Sequence, residues 1–111
     1  MKSIFPNLIT TFPKASIPFS DVNIYIPQQK ENQIVFMEFT EDTDLPEHSH
    51  KEQWEYVLNG SAEVWIDGVH HLFQKGDQFF IPAGVKHYAK ILAGYASIAF
   101  FNEKDRYNKK S

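Results

Sequence analysis

Gly76-Asp77-Gln78-Phe79-Phe80-Ile81-Pro82-Ala83-Gly84-Val85-Lys86-His87 decides the fold, read together with His48-Ser49-His50 further up the chain. Gln78 to Ile81 reads as a short strand. Gly76, Pro82 and Gly84 carry no chemistry of their own and shape the turns that deliver His87. Alternate residues of a strand share a face, so His48 and His50 can aim both imidazoles into one space. Thirty-six residues separate His50 from His87. A second strand folded back over the first would bring His87 to join them. Three neutral imidazoles from two strands make a transition-metal site, because imidazole suits Zn, Cu, Fe and Ni. An isolated His-x-His is more often a half-exposed strand pattern than a ligand pair, so that triplet alone does not decide.

Outward from these segments the pattern is one of short strands. Val35, Met37 and Phe39 alternate with Phe36 and Glu38. Strands are expected at Leu45 to His50, Gln53 to Leu58 and Ala62 to Ile66. Asp67-Gly68 is a two-residue hairpin signal that returns the chain through Val69 to Phe73. Val85 to Leu92 and Tyr95 to Phe101 complete the series. About eight short strands with regular turns predict an all-β sandwich or barrel. The chain is read as one domain. Residues 1–30, with Pro6, Pro13, Pro18 and Pro27, form an irregular arm holding a helical turn at Pro6 to Thr11 and an edge strand at Asn23 to Ile26. Residues 33–101 form the barrel and 102–111 a charged tail.

Composition narrows the function classes. With 111 residues, 42% hydrophobic and 15% aromatic, the chain can bury a sizeable core. Ten Phe, five Tyr and two Trp favour strands over helices. A net charge of −3 gives no electrostatic footprint for nucleic acid. No apolar run reaches membrane-spanning length, and the N-terminus lacks the apolar stretch of a signal peptide, so a cytoplasmic address is the default expectation. Zero cysteines exclude disulfides and thiol catalysis.

The two histidine segments carry a family resemblance. His48 to Gly60 resembles the first cupin motif, G(x)5HxH(x)3–4E(x)6G, and Gly76 to His87 resembles the second, G(x)5PxG(x)2H, with Gly76, Pro82, Gly84 and His87 in place. Fifteen residues separate Gly60 from Gly76, a compact spacing similar to that of small bacterial cupins. The resemblance covers Thr40 to Lys90 and implies a jelly-roll, double-stranded β-helix barrel with one divalent transition metal ion (Fe, Mn, Ni, Zn or Cu) held by His48, His50, His87 and a fourth residue. The chain departs from the pattern at Asp42, where a glycine is expected, and at Ile91, where an asparagine is expected. The fourth ligand has two candidates. Counting back from Gly60 selects Gln53, and counting forward from His50 selects Glu55. Gln53 is preferred as the ligand, with Glu55 as the rival or as a group behind it, and as the candidate general base. A Gln carbonyl is a neutral donor, so such a site would keep the metal's full charge and favour anionic oxygen ligands.

Other constellations read more plainly. His70 and His71 face opposite ways on a hairpin. Glu41, Asp42, Asp44 and Glu47 read as a solvated turn, Asp105-Arg106 as a surface pair, and Tyr88 as either a pocket wall or an exposed strand aromatic. Trp54, Tyr56 and Leu58 form an outward apolar stripe that the arm or a second copy of the chain should cover, and small cupins commonly dimerise, so a homodimer is expected. Some cupins keep such histidines only as polar core groups. Here all three stand at the family spacing, which places metal binding first. The expected function is a metal-dependent pocket for an anionic or polyhydroxylated metabolite, with oxygenase, isomerase or lyase chemistry. The alternatives are a non-catalytic binding or sensing domain and a cupin acting on sugar nucleotides, the latter disfavoured by the lack of a basic phosphate cluster.

Overall fold

The computed structural model describes residues 3–27, 32–103 and 106–107. Its elements are one helical turn, α1 (Asn7–Thr10), and nine strands: β1 (Val22–Tyr25), β2 (Gln33–Phe39), β3 (Thr43–His48), β4 (Gln53–Asn59), β5 (Ser61–Ile66), β6 (Val69–Gln74), β7 (Gln78–Ile81), β8 (His87–Ile91) and β9 (Ala96–Phe101). They form a five-stranded sheet in the order β1-β2-β9-β4-β7 and a four-stranded sheet in the order β3-β8-β5-β6. Neighbouring strands in both sheets pair antiparallel. This is a jelly-roll barrel: the strand pattern predicted a sandwich or barrel, and the family resemblance implied the jelly-roll form.

Alternation builds the interior. On β4, Gln53, Glu55 and Val57 are buried while Trp54 and Tyr56 are exposed. Val35, Met37 and Phe39 from β2, Ala99 and Phe101 from β9, and Val64, Ala89 and Ile91 from the opposite sheet meet them to form the apolar core. The Asp67-Gly68 turn closes the β5–β6 hairpin with both residues at positive φ, 50° and 77°, which matches the twist of the flanking strands. Gly60, at φ +73°, is required by close approach: a Cβ there would stand 2.8 Å from the backbone of Tyr95.

The N-terminal arm covers part of the outer face of the five-stranded sheet. Phe5 packs edge-on against Tyr25 and Phe36, and Ile9 and Phe12 join Leu58 and Phe36 around them. Glu38 is buried on this face because the arm brings donors to it: Ser3 Oγ at 2.8 Å, and Tyr25 OH at 2.7 Å from the neighbouring strand. The arm therefore covers Leu58 and leaves Trp54, Tyr56 and Phe80 exposed.

Candidate metal centre

The three histidines converge, although not by alternation along one strand. β3 ends at His48, and His50 lies in the loop that follows. His48 sits directly across from His87, the first residue of β8, after an irregularity in pairing between Leu45 and His48. The loop bearing His50 is held from two sides. The backbone N–H of Gly84 donates to His50 O at 2.9 Å, and Lys51 N donates to Glu103 Oε1 at 3.1 Å. The Pro82–Gly84 turn therefore fixes His50 as well as leading into His87. Ring centroids lie 4.2 Å apart for His48–His87, 4.8 Å for His50–His87 and 5.4 Å for His48–His50.

Hydrogen bonding sets the tautomers. Each Nδ1 faces a backbone carbonyl: His48 that of Pro46 at 2.7 Å, His50 that of Lys51 at 2.6 Å, and His87 that of Val85 at 3.0 Å. A carbonyl can only accept, so each Nδ1 carries the proton and each Nε2 presents a lone pair. Nε2 of His50 and of His87 is buried without a partner, an arrangement that costs stability unless something binds there. One ligand atom from each ring lies within 4.8 Å of the other two, so the set fits a single cation. Fixing the second nitrogen on a carbonyl is how metal-binding histidines are oriented.

Burial, the first cause, disfavours the charged form of all three rings, with Arg106 and, for His50 and His87, neighbouring histidines adding to it. His87 is pushed down to about 4. The rings are therefore neutral near pH 7, the state that binds metal.

Gln53 and Glu55 line the same cavity as His48 and His87. Gln53 Nε2 donates to Glu55 Oε1 at 2.7 Å, so the amide oxygen is the Gln53 atom left for a cation. The hydroxyl of Tyr95 donates to Glu55 Oε2. Both carboxylate oxygens are thus engaged, at a residue only 4% exposed. Burial raises the Glu55 carboxyl above its usual range, while the Tyr95 and Gln53 hydrogen bonds oppose that shift. The cavity holds about 430 Å³ and is lined by His48 and His87 together with core residues of both sheets.

Arg106 corrects the expectation of a surface pair at Asp105-Arg106; Asp105 lies outside the described residues. Arg106 lines the cavity, its guanidinium 5.5 Å from the Phe101 ring and 4.5 Å from the Tyr107 ring, with Nε buried and unpartnered. Tyr107 is tied to β2 by two hydrogen bonds with Gln33, 2.9 Å and 2.7 Å. Sequence reading missed Arg106, Tyr107 and Tyr95. The available signal was an aromatic residue, Tyr107, in an otherwise charged tail. Of the remaining candidates, Tyr88 stacks on Trp65 at 4.8 Å and is not among the cavity's lining residues. His70 pairs with exposed Glu63 at 3.1 Å.

Comparison with known proteins agrees with this architecture. A family model described as the cupin domain matches residues 35–94. The structure is similar to an RmlC-like cupin from Shewanella frigidimarina NCIMB 400, with 25% identity, TM-score 0.76, and coverage of 87% of this chain and 88% of that one. It is similar to KdgF from Halomonas sp., with 22% identity, TM-score 0.72, and coverage of 95% and 97%. A salicylate 1,2-dioxygenase from Pseudoaminobacter salicylatoxidans, in its adduct with gentisate, aligns at 14% identity and TM-score 0.68 over 78% of this chain and 26% of that one. Among curated protein sequences none matches. The family match spans more than half of the chain and includes strands β3 to β8 and all three converged histidines, so the chain belongs to the cupin family.

Proposed function

We propose that this protein is a mononuclear metal-binding cupin that holds one divalent first-row ion through His48, His50, His87 and the amide oxygen of Gln53, and receives an anionic small molecule in the adjoining cavity. The observation that carries this reading is the trio of imidazoles with Nδ1 fixed on carbonyls and Nε2 converged. Such an ion would chelate and polarise ligand oxygens. Three neutral imidazoles and a neutral amide leave its charge uncompensated, and Arg106 adds a further positive charge at the cavity, which favours an anion. Glu55, expected as the general base, is assigned hydrogen-bond work first: it holds the Gln53 amide with its oxygen turned away from the carboxylate. A base role would require it to release Tyr95 or Gln53.

That engagement is the specific support for a second reading, a non-catalytic binding cupin, because Glu55 is the only carboxylate among the cavity's described lining residues. A homodimer formed through the exposed Trp54, Tyr56 and Phe80 face belongs to either version. The test is elemental analysis of protein purified without a metal-affinity tag, alongside His87→Ala. Close to one equivalent of a first-row metal is expected in the parent and a small fraction of it in the variant. Unchanged metal content in His87→Ala would refute the site.

A further inference from the structure

The lining of the cavity changes character with depth. One part of the lining is made by His48, His87, Gln53 and Arg106. The register places Gln53 level with Phe101 on one side and Ile81 on the other, and His87 level with Ile66. Farther along the barrel the walls are Ile24, Met37, Phe39, Leu45, Val64 and Ile91. Of the polar side chains on this part of the lining, Glu55 and Tyr95 are hydrogen-bonded to each other, and Ser16 belongs to the arm and is exposed. Little there can receive a ligand hydroxyl.

We infer that the cavity selects an oxygen-chelating carboxylate with an apolar body, aromatic or branched-alkyl, and disfavours a polyhydroxylated acid. The inference rests on the metal-binding reading and adds the class of ligand. The chelating head, a carboxylate with a neighbouring oxygen, sits at the cation and the Arg106 guanidinium. The body enters the apolar chamber, where removing its surface from water is favourable. A hydroxyl carried into that chamber loses its water and finds no partner, which costs about tenfold or more in affinity for each one buried. Sites lined in this way discriminate mainly by leaving polar groups unpaired.

Mandelate and gluconate separate the two classes, because both carry the same 2-hydroxycarboxylate head and differ in the body. Glycolate supplies the head alone. The protein, stripped and reloaded with Co(II), is titrated with each acid, and the visible d–d bands of cobalt report binding. Mandelate is expected to bind at least tenfold more tightly than gluconate, and more tightly than glycolate. Gluconate binding as well as or better than mandelate, or cobalt bands that respond to none of the acids, would overturn the ligand class and leave the metal centre standing. Failure to retain cobalt at all would remove both the metal centre and the inference built on it.

Discussion

Replacing Tyr95 by Phe removes one hydroxyl from the middle of the barrel. Tyr95 is 1% exposed and Glu55 4%, so bulk water does not reach the carboxylate oxygen that loses its donor. A hydrogen bond to a charged group contributes about 1.5–3 kcal/mol and one between neutral groups about 1 kcal/mol. Burial already raises the Glu55 carboxyl, and the Tyr95 hydroxyl is the first of the groups pulling it back, so the variant carboxyl should rise further. A carboxyl whose folded pKa lies above its unfolded value contributes fully below the unfolded value, and that contribution is lost as pH rises through the folded one. The cost of Tyr95→Phe should therefore grow with pH, from about 1 kcal/mol near pH 4 to about 2 kcal/mol near pH 7.5. Urea unfolding of the metal-free parent and variant, at equal protein concentration and both pH values, measures this. The histidines titrate in both proteins and cancel in the difference. In melting experiments at the higher pH, about 2 kcal/mol corresponds to a fall of roughly 8 °C for a domain near this size. A difference below about 0.5 kcal/mol, or one that does not change with pH, would refute the view that Tyr95 holds a buried, titratable Glu55.

Three further outcomes follow from the same geometry. Gln53→Ala should weaken metal binding about tenfold or more, while Glu55→Gln, which preserves shape, should retain most of it; the reverse order in competition titrations would make Glu55 the ligand. Light scattering at micromolar concentration should report twice the 12.9 kDa chain mass, and Trp54→Asp combined with Phe80→Asp should lower it toward the monomer. A parent protein that is already monomeric would leave that face without a second copy to cover it. In the metal-free protein, NMR should find the His87 ring still neutral at pH 5 and titrating at about 4, with the associated stability lost as pH falls from the ordinary histidine range toward that value; a midpoint near the ordinary 6.5 would contradict the burial argument.

What the sequence determined by itself was local or periodic. Asp67-Gly68 demands its hairpin because both residues take positive φ, a preference set within two residues. Val35, Met37 and Phe39 mark one face of a strand because side chains alternate whatever the partner strand is. The histidine spacing and the Gly-Pro-Gly turn residues are equally local, so the three candidate ligands could be named from the chain. His50 shows the limit of that reasoning. Alternation predicts it on a strand beside His48, yet it reaches its partners from a loop, held by Gly84 and Glu103, residues distant in sequence. Counting along the chain could not separate Gln53 from Glu55, since both face inward; only the fold shows that Gln53 and Tyr95, forty residues after Glu55, donate hydrogen bonds to the two oxygens of Glu55. Arg106 reads as a surface charge in any window of the sequence. Only the return of the C-terminal segment across the barrel, with Tyr107 bonded to Gln33, places its guanidinium on the cavity, because burial of a long polar side chain depends on which distant backbone and ring surfaces close around it.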